Sequence, residues 1–298
     1  MKARLPTHHE KYPAILEKLD QISAGYFGEL RTDRFIEEVL FPQQLLIIPD
    51  LHTRLHSKRH IQIDTLILTR SYMLLIEVKN ITGTLRFKTD PNQLVRIKDN
   101  VEEKSYACPF TQLDRNCDGI KTLFPRAKLP IIQALVFPSQ NTIIEDAPKN
   151  RHIFFAKQLP LFIQKLNKGS SIITAQQFNQ IANQLTKMNN NFTPDSLCNR
   201  MNINPEILKK GVLCKNCNSK LHRKSLQIWH CKTCLATEKN PISSNIEDLF
   251  LLIKPDLSVK DCMHYLEINS RYTIYNSLQK MNVEKSGYKK STKYKILH

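Results

Sequence analysis

The apolar residues of this chain come in short, dense runs, and the two densest are neighbours. His60 to Leu68 and Tyr72 to Asn80 are rich in Ile, Leu and Val and flank the break Thr69-Arg70-Ser71. Runs of this length and composition predict strands, and so short a break predicts a hairpin. Side chains alternate along a strand. Gln62 and Asp64 therefore share one face of the first strand, and Glu77 and Lys79 share one face of the second. Ile63, Ile76 and Val78 are expected on the opposite side, in a core.

Upstream, Lys11 to Gln21 reads as a short amphipathic helix with Ile15, Leu16 and Leu19 on one side, expected to pack on the larger core. A second helix runs from Glu29 to Leu40 with a stripe of Phe35, Ile36, Val39 and Leu40. Glu29 lies near the start of that helix, where the dipole favours a carboxylate, and Gly28 before it permits close approach. Gln44 to Ile48 predicts a strand. Asp50 to Arg59 reads as a polar loop carrying His52, Arg54, His56, Lys58 and Arg59, open to solvent or to phosphates. Downstream, Gly83 to Lys88 and Leu94 to Lys98 form a second hairpin about Asp90-Pro91-Asn92. Pro109 opens a helix to about Phe124, with Cys108 and Cys117 as ordinary thiols. Ile131 to Phe137 and His152 to Phe155 predict strands, and Leu159 to Leu166 and Thr174 to Met188 helices.

The pattern changes after the loop Asn189 to Pro194. Cys214-Lys215-Asn216-Cys217 and Cys231-Lys232-Thr233-Cys234 are two Cys-x₂-Cys knuckles separated by 13 residues. Two such knuckles can place four thiolates around one Zn²⁺ with no open position, so the metal is expected to be structural. His222 and His230 are alternative ligands. Lys215, Lys220, Arg223, Lys224 and Lys232, with Trp229 among them, suggest a nucleic-acid surface; the alternative is a spacer. Beyond it, Asn245 to Ile253, Val259 to Leu266 capped by Ser258, and Arg271 to Met281 after the turn Asn269-Ser270 outline a helix-turn-helix. Arg271, Tyr272, Thr273 and Asn276 are its candidate DNA contacts. A tail with Lys285, Gly287, Lys289, Lys290, Lys293, Tyr294 and Lys295 could form a basic wing.

Charge sharpens this picture. A net charge of +17 and a pI of about 9.5 point to a polyanionic partner, nucleic acid first. No apolar stretch has spanning length and no signal-peptide core is present, so a cytoplasmic protein without a membrane partner is expected. In that compartment eight cysteines are thiols and metal ligands rather than disulfides.

The candidate chemistry lies in the central hairpin. Mg²⁺ or Mn²⁺ takes one or two carboxylates, with water and substrate phosphate completing the shell. Asp64 and Glu77 could supply them, Lys79 could orient a water and offset developing charge, and Gln62 could hold that water or the lysine. The other reading is a sheet edge protected by charges. Gly25-Tyr26-Phe27-Gly28-Glu29-Leu30, then Gln62-x-Asp64, then Glu77-Val78-Lys79-Asn80, then Gly83 occur in that order. From about Ala24 to Phe137 the chain resembles the nuclease-related domain, NERD, a branch of the PD-(D/E)XK superfamily. The resemblance implies a restriction-endonuclease-like α/β core, a mixed sheet flanked by helices, with Glu29, Asp64, Glu77 and Lys79 at the site. Gln62 matches the glutamine before the family aspartate. A proline and a glutamine recur where Pro109 and Gln112 stand, so Gln112 is expected to face the site or to be an exposed helix residue.

The expected organisation is a NERD domain at 1–190, a linker at 191–210, a Cys₄ zinc ribbon at 211–240 and a basic helix-turn-helix-like module at 241–298. The expected function is a Mg²⁺- or Mn²⁺-dependent DNA nuclease targeted by the C-terminal modules. The alternative is an inactive nuclease fold acting as a DNA-binding or regulatory protein. An RNA substrate has no supporting motif, and the oligomeric state is not legible.

Overall fold

A computed structural model of the chain describes residues 1–56, 59–99, 101–190 and 195–296, with the side chains of Asn190 and Lys290 excepted. Lys58 and the loop residues 191–194 lie outside the described residues. The chain divides into two compact units, Asp20–Phe192 and Met1–Leu19 with Thr193–His298. Helix α1, Tyr12–Glu37, contributes residues to both.

In the first unit a five-stranded mixed sheet is built from β1 (Leu45–His56), β2 (Arg59–Thr69), β3 (Met73–Val78), β7 (Ile131–Phe137) and β9 (Ile153–Phe155), in that spatial order. The β1–β2 and β2–β3 pairs are antiparallel, and β3–β7 and β7–β9 are parallel. A second sheet, of order β6-β5-β4-β8, comprises β4 (Gly83–Thr89), β5 (Asn92–Lys98), β6 (Val101–Ala107) and β8 (Thr142–Glu145). Helices α2 (Pro109–Leu123) and α4 (Ala175–Asn190) share one apolar layer with Leu66, Leu68, Met73 and Leu75. The end of α1 and α3 (Leu159–Leu166) share the other with Ile67, Leu74, Ile76 and Val78. The mixed sheet flanked by helices is the α/β architecture expected.

Four details differ from the sequence reading. The two N-terminal helices are one helix of 26 residues, so Glu29 lies in its interior and the dipole argument for it fails. Gly25 and Gly28 do not break the helix. A Cβ on Gly28 would lie 2.6 Å from Asn80 Cβ, so glycine is required there by packing. Leu40, placed in the buried stripe, is exposed. The supposed loop after Asp50 is the second half of β1, because Leu51 and Thr53 alternate inward between polar neighbours. Finally, Ile15 packs in the core that holds Cys214 and Cys231, not in that of the larger unit.

The second unit begins with α5 (Leu197–Arg200). A three-stranded sheet follows, β10 (Leu221–Arg223), β11 (Ile228–Cys231) and β12 (Thr237–Lys239). Then come α6 (Ile242–Leu252), β13 (Asp256–Leu257), α7 (Val259–Leu266), α8 (Arg271–Gln279), β14 (Val283–Ser286) and β15 (Lys293–Ile296). The last three strands pair in the order β13-β15-β14, so the tail anticipated as a wing is a hairpin anchored to the helical module. Ser258 caps α7 in a reciprocal capping box with Asp261. Arg4, 1% exposed, ties the N-terminal segment into this unit by donating to Asn245 Oδ1, Asp248 and the carbonyls of Lys209 and Gly211. Such a buried cation is tolerated because each of these acceptors satisfies it.

Candidate functional site

The site starts from a slip in strand alternation. Along β2, Ile61 and Ile63 pack in the α2–α4 layer, and so do Leu66 and Leu68. Odd and even positions cannot face one layer unless the alternation shifts between them. It shifts at Asp64: the β1–β2 register runs through Pro49↔Thr65 and Leu51↔Ile63 but passes over Asp50 and Asp64, and Asp50 has φ +46°. The β2–β3 ladder also stops at Thr65↔Ile76. Asp64 Oδ2 then accepts the Val78 N–H at 2.7 Å, in place of a strand partner. Ile63 therefore does not share a layer with Ile76 and Val78, as alternation alone predicted.

Glu77, between Ile76 and Val78, faces the α2 side. It is 1% exposed, and Asp64 is 8% exposed. Lys79 Nζ lies 2.5 Å from Glu77 Oε1 and 3.4 Å from Gln112 Oε1 on α2. Glu77 Oε2 is buried without a hydrogen-bond partner. Burial, then the Asp64 charge, raise the Glu77 pKa to about 7. Burial also raises Asp64, opposed by the Val78 N–H and by Lys79. Glu29 is raised to about 7 by burial and then by Asp64, Asp50 and Asp33. The helix that carries Glu29 is fixed to the ends of β3 and β7 by the Gly28 contact with Asn80 and Pro138, and by Asn80 Nδ2 donating to the Ala24 carbonyl.

Asp64, Glu77, Lys79 and Glu29 thus interact around one centre. Gln62 does not touch Lys79 by any hydrogen bond of the described residues; its amide donates to Asp50 Oδ1 at 3.2 Å. Gln112 takes the position beside the lysine. The recurring glutamine at this point of the NERD pattern was the signal for it. Asp50 was missed because the stretch after it read as a loop. It adds negative charge beside Glu29 and Asp64 while accepting from His52 Nε2 at 2.9 Å. A cleft of about 360 Å³ adjoins, lined by Arg59, His60, Gln62, Thr111, Gln112 and Arg115 among others.

A divalent cation fits this donor set. The unpartnered Glu77 oxygen and the crowding of carboxylates whose pKa values burial raises are both relieved by positive charge. No three acidic ligand atoms of the described residues lie within 4.8 Å of one another. Asp64 and Glu77 would be the one or two carboxylates that a hard hydrated cation takes.

The four-cysteine cluster comes closer to a complete ligand set. The Sγ atoms of Cys214, Cys217, Cys231 and Cys234 lie within 4.8 Å of one another, with Cys214–Cys234 at 3.6 Å and Cys217–Cys231 at 3.4 Å. Tetrahedral zinc with Zn–S of about 2.3 Å requires sulfurs about 3.8 Å apart. His222 and His230 pair across β10 and β11 and are not in the cluster. Trp229 is 7% exposed in the core of this unit, so it is not the surface aromatic anticipated. Lys220 pairs with Glu267, and Arg223 donates to the carbonyls of Ser225 and Leu226.

Of the anticipated DNA contacts in the C-terminal module, Arg271 and Lys289 line a common groove and Tyr272 is exposed. Thr273 donates its hydroxyl to the N-cap Ser270, Asn276 is half-buried, and Lys293 pairs with Asp256. The Lys290 side chain lies outside the described residues. No helix among the described residues is long and apolar enough to cross a membrane.

Comparison with known families matches the nuclease-related domain (NERD) to residues 24–138. No curated protein and no solved structure matches the chain. The matched span holds every member of the acidic centre, from Glu29 through Gln112. Residues 24–138 are thus similar to a nuclease-related domain, in a chain whose four-cysteine cluster fits a zinc ribbon.

Proposed function

We propose that the protein is a divalent-metal-dependent nuclease that hydrolyses DNA phosphodiester bonds, with the zinc ribbon and the winged C-terminal module holding the nucleic acid. The observation that carries this reading is the buried, unpartnered Glu77 Oε2 beside Asp64 and Lys79. Asp64 and Glu77 would hold Mg²⁺ or Mn²⁺, which when bound lowers the pKa of a water and offsets charge on the phosphate. Lys79, held by Glu77 and Gln112, keeps an ammonium beside the phosphate and stabilises the charge that grows on its oxygens. The attacking water must lose a proton. Glu29, with its pKa at about 7, is matched to accept it near neutrality. Arg115 in the adjoining cleft supplies positive charge for neighbouring phosphates, beside Arg59, which is paired with Asp118.

Incubating the full chain with supercoiled DNA and Mg²⁺ or Mn²⁺ tests this. Nicking is expected, with the rate reduced about 100-fold or more in Lys79→Ala and Asp64→Ala. Equal cleavage by both variants rejects the site. The inactive-scaffold reading draws on one observation, the Lys79–Glu77 pair, which already satisfies one Glu77 oxygen. Calorimetry separates the two: Mn²⁺ binding abolished by Asp64→Ala supports the enzyme, and no binding beside salt-sensitive DNA affinity supports the scaffold.

A further inference from the structure

The geometry points to a binding site for single-stranded DNA in the groove between α7, α8 and the β14–β15 hairpin. This rests on the proposed DNA reading for the identity of the polymer, but not on catalysis. The groove encloses about 710 Å³ and is lined by Lys260, Arg271, Lys285 and Lys289, with Tyr275 and Tyr288 between them. No carboxylate lines it.

The distribution of charge in this unit makes the groove distinctive. Most nearby acids are occupied elsewhere: Asp256 with Lys293, Asp261 with Lys254 and Ser258, Glu267 with Lys220, and Glu206 with Lys210 and His264; Glu284, exposed next to Lys285 on β14, does not line the groove. The four groove cations have no carboxylate partner among the described residues. Gathering like charges without counter-charge does nothing for folding. A phosphate backbone supplies the missing charge and releases counterions as it binds.

The tyrosines decide which form of DNA. Tyr288 is 75% exposed and Tyr275 41%. Lys289 Nζ stands 5.2 Å from the Tyr288 ring centroid, so a cation and an aromatic surface are presented together. A cationic track beside exposed rings is the combination that binds unpaired bases, by stacking on the ring and by charge on the phosphates. A duplex hides its base faces except at its ends. Reading a duplex instead requires polar side chains of α8 to reach base edges. Thr273 is spent on Ser270 and Asn276 is half-buried, so of the four anticipated contacts on α8 only Arg271 and Tyr272 are exposed for that task.

Fluorescence anisotropy with the full chain, without added Mg²⁺ or Mn²⁺, tests the site on a labelled 20-nucleotide strand, its blunt duplex and the RNA of the same sequence. The single DNA strand should bind about ten-fold or more tighter than the duplex, from the added stacking. Four phosphate contacts give a slope of log K against log salt of about −3, falling by about 0.7 for each of Lys285→Ala and Arg271→Ala. Tyr288→Ala should weaken binding about ten-fold without changing the slope, and Tyr288→Phe should retain it. All three residues are exposed, and a melting curve of each variant confirms folding. Tighter binding of duplex or RNA, an unchanged slope in the cation variants, or full affinity in Tyr288→Ala overturns the site. Because no cleavage occurs in this assay, those outcomes leave the nuclease reading to be judged separately by Asp64→Ala.

Discussion

A single buried oxygen, Glu77 Oε2, holds much of the functional argument. An isolated carboxylate there is costly, and the protein answers by holding its proton longer. The consequence for stability has a definite sign. The folded-state pKa of Glu77 is about 7 against an ordinary 4.5, so the native chain binds more protons than the unfolded chain in between. Protonation therefore stabilises the fold: the contribution is complete below pH 4.5 and is lost as pH rises through about 7. Without added Mg²⁺ or Mn²⁺, the melting temperature should fall across this window. Glu77→Gln should flatten the fall, leaving the smaller share due to Glu29, which also sits at about 7. A thermal-melt series from pH 4 to 8 reads this directly, and an unchanged profile in the variant would show that Glu77 ionises normally.

At the level of elements, helix α1 carries Glu29 to the strand ends and Gly28 sets how close it comes. Intrinsic propensity favours alanine over glycine in a helix by about 1 kcal/mol. The close contact with Asn80 Cβ predicts the reverse. Gly28→Ala should destabilise the chain by about 1–3 kcal/mol in urea unfolding, as overpacking does, and should lower cleavage by displacing Glu29. A stabilised variant would mean that the helix shifts freely. The strand elements teach a related lesson. The central hairpin and the helix Pro109–Leu123 were legible because their apolar pattern is dense and their ends are marked. Strand β6 was not anticipated, because Val101–Ala107 has an almost wholly exposed, polar sequence with no alternation to read.

On the scale of the whole molecule, residues from both ends of the chain build one compact unit, through the buried Arg4 and through Leu5 and Ile15 in its core. Inside it the four-cysteine cluster links short strands whose buried Leu221, Trp229 and Cys231 join the same core as the C-terminal helices. Purified protein should carry one zinc per chain by elemental analysis. Cys231→Ser should abolish that zinc and lower the melting temperature of the chain. Retention of stoichiometric zinc would place the ion elsewhere. A net charge of +17 sits mostly on exposed residues, and the groove beside the C-terminal hairpin is where four cations meet no acid.

The order of motifs from Gly28 to Gly83 and the spacing of the two Cys-x₂-Cys knuckles were sufficient to point to the family whose model matches and to the four-cysteine cluster, because both are local in sequence. Local periodicity also marked the C-terminal helices and the Ser258 cap. Contacts between distant residues were beyond its reach. The shift of alternation at Asp64, the choice of Gln112 over Gln62 beside Lys79, the burial of Trp229 and the capture of Lys293 by Asp256 all depend on neighbours distant in sequence. Periodicity tells which face a residue takes within its own element; only packing between elements decides what waits on that face.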